Sequence, residues 1–321
     1  MQSAFPSAPI RIGARASLLS VTQARQVQAA IARAVLSRAA ESDEVEAVAP
    51  LVFITTTGDR VQDRRLLEIG GKALFTKEIE EALLDGRIDC AVHSLKDVPA
   101  ESPPGLALGA FPAREDARDA FVSPGFAVFD ALPPGARLGT ASLRRSAQAL
   151  HRRPDLQIVM LRGNVDTRLR KLADGECDAT LLALSGLNRL GLAHHAREVF
   201  DPVAVPPAPG QGALAVQVRE EDIDLPWVRA LDHAPTRLTI GAERGALLAL
   251  EGSCRTAIGA HARLDGQALI LTVEALSPDG TLRFRDEGRV EVATISSVHA
   301  LGVRLGQAVL GAGGTHLALP G

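Results

Sequence analysis

The most distinctive chemical feature of the sequence is a cysteine on a predicted loop. Cys254 lies in the segment LEGSCR (250–255), where the neighbouring glycine and serine favour a loop over a packed core. A free thiol in such a place can act as a nucleophile or as a covalent attachment point. The other two cysteines, Cys90 and Cys177, lie in or next to apolar strands, and we interpret both as buried structural residues.

A carboxylate beside a lysine is the second candidate. Asp97 and Lys96 belong to the segment HSLKDVP (93–99), which follows a short apolar strand predicted over Ile88–His93. Folds that alternate strands and helices bind ligands beyond the carboxyl ends of their strands. This carboxylate is therefore expected beside a cation in a cleft. The competing interpretation is a surface lysine and a turn aspartate before Pro99.

Turns that open predicted helices carry most of the remaining polar candidates. They are GARAS (13–17), TASLRR (140–145) and RGNVDTR (162–168). A helix N-terminus presents free backbone N–H groups, and arginine binds carboxylates through two parallel hydrogen bonds, so these turns predict sites for small anions. The alternatives are a serine that only caps its helix and arginines that lie solvated on helix faces.

The overall composition excludes several functional classes. The 321 residues include 35 Lys and Arg against 38 Asp and Glu, a net charge of −3, so no global positive field attracts nucleic acid. The arginines are instead clustered, which favours a small anionic ligand. Three cysteines without close pairs and the absence of an HExxH motif argue against a disulfide framework and a metal site.

Cysteine usage and hydropathy also predict a location. Reduced thiols fit the cytoplasm, where disulfides are rare. The first ten residues have neither a basic nor an apolar signal-peptide region, and no stretch of about 20 apolar residues occurs. We therefore expect a cytoplasmic protein that does not associate with a membrane.

Predicted strands alternate with helices over the first two thirds of the chain, which indicates α/β folding around mostly parallel sheets. The first block has strands near residues 10–13, 51–55 and 88–93 and helices over 18–40 and 75–84. The second block follows Pro112, with strands over 137–139, 157–161 and 179–184 and helices over 141–151 and 167–172. The third block has helices over 240–250 and 297–310 and strands over 269–274 and 283–292, typical of a small α+β domain.

A proline-rich segment separates these blocks. Pro202–Pro209 contains four prolines and cannot form a regular helix, so it is a natural crossover between domains. The strand predicted over Ala213–Val218 would then return to the first sheet. We expect three domains, formed by residues 1–112 with 213–232, residues 113–212, and residues 233–321.

Taken together, the motifs resemble those of the porphobilinogen deaminase family between Arg11 and Gly259. The matches occur in the family's order and spacing, and they include GARAS (13–17), TTGDR (56–60), GGKALFTKEIE (70–80), VHSLKDVP (92–99), REDARDAFV (114–122), GTASLRR (139–145), RRPDL (152–156), RGNVDTR (162–168), PAPGQGA (207–213) and LEGSC (250–254). Any one of these motifs would be weak evidence, whereas a colinear series is specific.

The resemblance implies a fold and a reaction. The first two domains would be like periplasmic binding proteins, with the active site in the cleft between them, and the third would be a small C-terminal α+β domain. The enzyme would be a hydroxymethylbilane synthase, a transferase that joins four porphobilinogen molecules head to tail with loss of ammonia. The growing chain would be held on a dipyrromethane cofactor, and hydrolysis would release hydroxymethylbilane.

The resemblance also implies residue roles. Cys254 would hold the cofactor through a thioether, and Asp97 would be the catalytic carboxylate. Further cofactor contacts are expected from Lys96, Ser142, Arg144, Arg145 and Arg168. Substrate contacts are expected from Arg15, Ser17, Phe75, Arg162 and Arg189. No metal is implied, porphobilinogen is the expected partner, and the expected oligomeric state is a monomer.

Two other classes of protein remain open on the residues alone. A non-enzymatic anion-binding protein would use the same arginines, but it has no need for Asp97 or Cys254 and would normally carry an export signal. A regulatory ligand-sensing domain would be expected to carry a DNA-binding helix-turn-helix segment, which the sequence lacks.

Overall fold

The structure, a computed structural model, describes residues 8–60, 76–250 and 256–317. Two predicted site residues, Phe75 and Cys254, lie outside the described residues. The chain forms two compact units, the first made of Met1–Arg114 with Ala213–Arg237 and the second of Glu115–Gly212 with Leu238–Gly321.

The regular elements of the described residues follow one another along the chain in a mostly alternating order. The strands are β1 (Ile12–Ala14), β2 (Leu51–Phe53), β3 (Cys90–Ser94), β4 (Leu106–Ala110), β5 (Asp119–Val122), β6 (Arg137–Gly139), β7 (Gln157–Val159), β8 (Ala179–Ala183), β9 (Glu198–Val199), β10 (Leu214–Arg219), β11 (Ala257–Asp265), β12 (Ala268–Leu276) and β13 (Arg283–Val290). The α-helices are α1 (Leu18–Leu36), α2 (Ser42–Val48), α3 (Thr57–Arg60), α4 (Lys77–Leu84), α5 (Leu143–Arg152), α6 (Val165–Ala173), α7 (Leu184–Arg189), α8 (Pro226–Ala230), α9 (Ala234–Leu250) and α10 (Ile295–Gly313).

The first unit contains a five-stranded sheet in the order β2-β1-β3-β10-β4. Strands β1, β2 and β3 are parallel, and β10 runs antiparallel between β3 and β4. The strand predicted over Ala213–Val218, which returns to the first sheet after the proline-rich crossover, is therefore confirmed, because β10 pairs with β3 and with β4. Apolar residues of α1 and α8 cover one face of the sheet, and those of α4 cover the other.

The second unit contains a sheet of the same design, in the order β7-β6-β8-β5-β9. Here β6, β7 and β8 are parallel, and β5 runs antiparallel between β8 and β9. The two sheets therefore match strand for strand, with β10 of the first corresponding to β5 of the second. In both sheets, the carboxyl ends of three parallel strands share an edge with the beginning of the antiparallel strand.

The C-terminal part of the second unit has its own sheet and core. Strands β11, β12 and β13 form an antiparallel meander. Apolar residues of α9 and α10 pack on one face of this meander, around Leu271, Val273 and Leu305. The predicted fold class, two α/β domains followed by a small α+β domain, is confirmed.

Sequence reasoning missed or misplaced several elements. Helix α1 ends at Leu36, not near residue 40, because Ser37 adopts the left-handed conformation that terminates helices. The short strands β4 and β5 were not predicted, because four or five residues give little periodic signal. None of the helices within the described ranges combines the length and the apolar character needed to cross a membrane.

Helices α9 and α10 approach each other closely through glycine. A Cβ atom placed on Gly302 of α10 would collide with the carbonyl oxygen of Ala242 and would lie 2.8 Å from the amide nitrogen of Ala246, both on α9. Backbone atoms cannot yield as a flexible side chain can, so this crossing requires glycine. Gly311, in the last turn of the same helix, has open space around the same position.

We expect Gly302→Ala to lower the free energy of unfolding by about 1–3 kcal/mol or more, because the methyl group forces the two helices apart. Gly311→Ala is the matched control and should raise stability by up to about 1 kcal/mol, because alanine favours the helix. Urea unfolding of both variants measures the difference. Equal stability of the two variants would contradict the close approach.

Candidate functional site

The carboxyl ends of β1 and β3 carry the polar candidates of the first unit. Arg15 and Ser17 follow β1, and Ser17 caps α1 by accepting a hydrogen bond from the backbone N–H of Ser20 at 3.3 Å. Lys96 and Asp97 follow β3 in a single turn of 3₁₀ helix. The parallel pairing of β1 with β3 therefore places all four predicted residues along one edge of the sheet.

The turn that carries Asp97 is anchored on both sides of the exposed carboxylate. Leu95 is buried, and its N–H donates to the carbonyl of Ala213 at 3.0 Å. The N–H of Val98 closes the turn by donating to Leu95 at 3.0 Å. Asp97 is thus presented to solvent from a backbone fixed by buried apolar side chains.

Gln23 ties helix α1 to the end of β3. Its amide Nε2 donates to Ser94 Oγ at 2.9 Å, and the Ser94 hydroxyl lies 3.1 Å from Gln23 Oε1. Gln23 is buried, although glutamine is usually exposed. Sequence analysis did not single it out, because a glutamine on an apolar helix face has no local signature.

His93, in strand β3 just before the turn, is buried as a neutral imidazole. Burial lowers its pKa to about 4, against opposing effects of a hydrogen bond to Gln217 and the charge of Asp97. Its Nε2 is 3.0 Å from Gln217 Oε1, and Gln217 Nε2 donates to Glu80 at 3.4 Å. A carboxylate only accepts hydrogen bonds, so this chain orients the Gln217 amide and places the histidine proton on Nε2.

In the second unit too, polar candidates lie at the carboxyl ends of parallel strands, where three helices begin. Ser142 follows β6 and caps α5, with its Oγ 3.4 Å from the N–H of Arg145. Asn164 caps α6 by accepting from the N–H of Thr167 at 2.9 Å. Helix α7 follows β8 directly and ends at Arg189. Since β6, β7 and β8 are parallel, the N-termini of the three helices lie along the same edge.

Arg144 and Arg145 both bind one buried carboxylate, Asp119. Arg144 Nη1 donates to Asp119 Oδ2 at 2.6 Å, and Arg145 Nη2 donates to Oδ1 at 2.7 Å. The two arginine residues are each only 5% exposed, so the alternative of solvated arginines is wrong here. Burial by itself would raise the pKa of Asp119, but the charges and hydrogen bonds of Arg144 and Arg145 outweigh it and hold this pKa well below its usual range.

Asp119 belongs to the same edge because of its place in the sheet. It begins β5 and lies opposite Ala183, the last residue of β8. Gln211 adds a further hydrogen bond, from its Nε2 to Asp119 Oδ1 at 2.9 Å. Asp119 was inside the quoted motif REDARDAFV, but no site role was assigned to it, because one sequence does not reveal which arginine an aspartate meets.

The remaining predicted arginines lie on or beside these helices. Arg168 Nε donates to the carbonyl of Gly163 at 2.8 Å. Arg189 Nη2 donates to the carbonyl of Gly212 at 2.9 Å, and burial lowers the pKa of Arg189. Arg162 precedes the cap of α6 and is partly buried.

Within the described part of the chain, no group of three or more His, Cys, Asp or Glu side chains could hold a metal ion.

Comparisons with known proteins give one family. A model described as "Porphobilinogen deaminase, dipyromethane cofactor binding domain" matches residues 10–226, and a model of the porphobilinogen deaminase C-terminal domain matches residues 237–311. A porphobilinogen deaminase of Caulobacter vibrioides is 64% identical over 316 residues, covering 97% of this chain and 98% of its own. The chain belongs to the porphobilinogen deaminase family.

A more distant member of the family matches over nearly as much of the chain. The porphobilinogen deaminase of Nitrobacter hamburgensis is 47% identical over 294 residues, covering 89% of this chain and 90% of its own. Enzymes of the porphobilinogen deaminase family are hydroxymethylbilane synthases, which are transferases. The predicted family, enzyme class and dipyrromethane cofactor are therefore confirmed.

Among solved structures, the methionine-binding protein MetQ has a TM-score of 0.44 and 16% identity, covering 71% of this chain and 91% of its own. A periplasmic substrate-binding protein of an ABC transporter from Coxiella burnetii also has a TM-score of 0.44 and 16% identity, covering 74% of this chain and 96% of its own.

The second unit has hydrogen-bond donors that fit a cofactor rich in carboxylates. Arg144 Nε and Arg162 Nη1 are buried without a hydrogen-bond partner among the described residues. Asp119 also balances only one of the two positive charges that it contacts. Each ring of a dipyrromethane carries an acetate and a propionate, and carboxylates are the acceptors that guanidinium groups bind best. The residues present therefore fit this group.

We expect Asp119→Asn to cost about 3–5 kcal/mol of unfolding free energy near neutral pH, because it leaves two buried guanidinium groups uncompensated. The folded-state pKa of Asp119 is depressed, so its stabilisation is complete above the unfolded pKa and declines as the pH falls below about 4. The deficit of the variant should shrink over that acid range. Asp155→Asn, which removes an exposed partner of Arg153, should change stability little.

Urea unfolding of both variants at pH 7 and pH 3 measures these differences. If Asp119→Asn were as stable as the wild type at pH 7, the buried ion pairs would not be what holds helix α5 against β5.

Proposed function

We propose that Cys254 of this chain carries the dipyrromethane cofactor, on which hydroxymethylbilane is built from four porphobilinogen molecules. When bound, the cofactor supplies the free pyrrole α-carbon to which the first substrate is joined. The amine of each substrate leaves as ammonia, a carbon–carbon bond forms, and the displaced ring proton must be accepted. Water finally releases the linear tetrapyrrole, and the cofactor stays on the enzyme.

Asp97 is proposed as the catalytic residue. The observation that carries this proposal is an exposed carboxylate on a hydrogen-bonded turn at the carboxyl end of β3, four residues after a neutral histidine. A pyrrole ring develops positive charge as its amine leaves and again as the new bond forms. A fixed carboxylate stabilises that charge and accepts a proton, and the neutral His93 adds no competing positive charge.

The basic residues are proposed to hold the carboxylate side chains of the pyrroles. Every added ring brings an acetate and a propionate, so the growing chain gains two negative charges at each step. Cofactor carboxylates are assigned to Lys96, Ser142, Arg144, Arg145 and Arg168. Substrate and product carboxylates are assigned to Arg15, Ser17, Arg162 and Arg189, and Phe75 is assigned to cover a ring.

The domain division predicted from the sequence is retained as part of the proposal, with residues 1–112 and 213–232, 113–212, and 233–321 as the three domains. We also propose a cytoplasmic monomer that acts on porphobilinogen and has no nucleic-acid partner. The nearly balanced charge supports the last point, since it provides no extended field for a polyanion.

We predict that Cys254→Ser largely abolishes stable cofactor assembly and leaves the fold intact, because a serine hydroxyl is a far weaker nucleophile than a thiolate. The measurement is the intact mass of the purified protein, with peptide mapping around residue 254. Cys177→Ser is the control and should keep the added mass. A fully loaded and active Cys254→Ser protein would contradict the attachment site.

We predict that Asp97→Ala keeps most substrate binding and lowers turnover by about 10²–10⁴-fold, the usual contribution of a positioned acid or base. Steady-state kinetics of the loaded protein separates kcat from KM. Asp85→Ala removes an exposed aspartate of the same unit and is the matched control. Turnover near the wild-type value in Asp97→Ala would remove this carboxylate from the mechanism.

A further inference from the structure

Gln148 links an arginine assigned to the cofactor with the C-terminal sheet. It lies one turn beyond Arg144 on α5, and its Oε1 accepts a hydrogen bond from Arg144 Nη1 at 2.9 Å. Its Nε2 donates to Glu274 Oε1 at 2.9 Å and to the carbonyl of Pro206 at 2.8 Å. Both of these partners only accept hydrogen bonds, so the amide nitrogen must face them and the amide oxygen must face Arg144.

Glu274 is fixed in turn by its own domain. It lies on β12, is only 1% exposed, and accepts from Arg283 Nε at 2.6 Å. Arg283 belongs to the neighbouring strand β13, where it pairs with Leu276 of β12. The two carboxylate oxygens are thus divided, one accepting from Gln148 and the other from Arg283. This carboxylate cannot turn away from Gln148 without giving up the ion pair.

The consequence for Arg144 is a guanidinium held in one orientation. Nη1 contacts three acceptors, namely Asp119 Oδ2 at 2.6 Å, Gln148 Oε1 at 2.9 Å and Pro206 O at 3.3 Å. The buried Nε of the same group has no hydrogen-bond partner among the described residues. With the plane of the guanidinium fixed through Nη1, the direction of the free Nε–H is fixed as well.

We propose that Gln148 and Glu274 are positioning residues that aim the Arg144 Nε–H at a carboxylate of the cofactor. Through them the C-terminal domain orients an arginine of the preceding α/β domain. This inference rests on the proposed function, because it requires that Arg144 contacts the cofactor. The two residues act through Arg144 and do not touch the ligand themselves.

The test follows cofactor loading by mass, independently of turnover. Apoprotein made in cells without porphobilinogen is mixed with porphobilinogen, and intact mass is recorded over time. The variants are Gln148→Met, which keeps the side-chain length and removes the amide, Glu274→Gln, Arg144→Lys, and the double variant Arg144→Lys with Gln148→Met. Glu287→Gln is the matched control, because it changes a glutamate on β13 that contacts Thr272 and Arg263 instead.

We expect Gln148→Met to slow loading about tenfold, the scale of a hydrogen bond to a charged group. Glu274→Gln should slow loading less. The single carbonyl oxygen of a glutamine can still accept from Gln148, but it cannot accept from Gln148 and Arg283 together. Glu287→Gln should load at the wild-type rate. In the Arg144→Lys background, Gln148→Met should add little further loss, because its target is already gone.

Several outcomes would overturn the inference. Wild-type loading by folded Gln148→Met would refute it, and so would a loss that is fully additive with that of Arg144→Lys. Melting temperatures of all variants separate slow loading from misfolding. If Gln148→Met failed to fold, the Glu274→Gln variant would test the inference in its place, and loading of Glu274→Gln at the wild-type rate would refute it. Wild-type loading by Arg144→Lys would instead refute the assigned role of Arg144 in the proposed function.

Discussion

A carboxylate buried between two arginines is the constraint on which the second unit depends. Asp119 begins strand β5, and Arg144 and Arg145 lie in the first turn of helix α5, so their ion pairs fix the start of the helix against the edge of the sheet. Burying these charges is costly, and the hydrogen bonds that Asp119 accepts from Arg144, Arg145 and Gln211 offset that cost. The group retains one excess positive charge, which makes this edge favourable for an anionic ligand.

The same sheet design in both units explains why the polar candidates occur at strand ends. Parallel strands bring their carboxyl ends to one edge, and the helices that follow them begin there with N–H groups that have no carbonyl partner inside the helix. In the first unit this edge presents Asp97, Arg15 and Ser17, and in the second it presents Ser142 and Arg162. The antiparallel strands β10 and β5 begin at these edges. Ala213, the residue before β10, therefore contributes its carbonyl there, and Asp119, the first residue of β5, contributes its carboxylate.

The small C-terminal domain is integrated with its neighbour through polar contacts as well as packing. Glu274 and Gln148 connect its sheet to α5, and the carbonyl of Pro206 in the crossover accepts from the same amide. Its own core depends on glycine at the crossing of α9 and α10, where Gly302 meets the backbone of Ala242. Close packing therefore holds the core of the C-terminal domain together, and hydrogen bonds at its border attach the domain to α5 and to the crossover.

The sequence by itself determined the family, the enzyme class, the fold class and the returning strand β10. These properties follow from the order of short motifs and from the alternation of strands and helices, which can be recognised from neighbouring residues in the chain. It also named the arginines of α5 and the carboxylate Asp97. Only the tertiary structure decided that Arg144 and Arg145 share Asp119, that His93 is neutral, and that Gln148 faces Glu274. These facts depend on burial and on partners more than twenty residues apart in the chain, which no local pattern encodes.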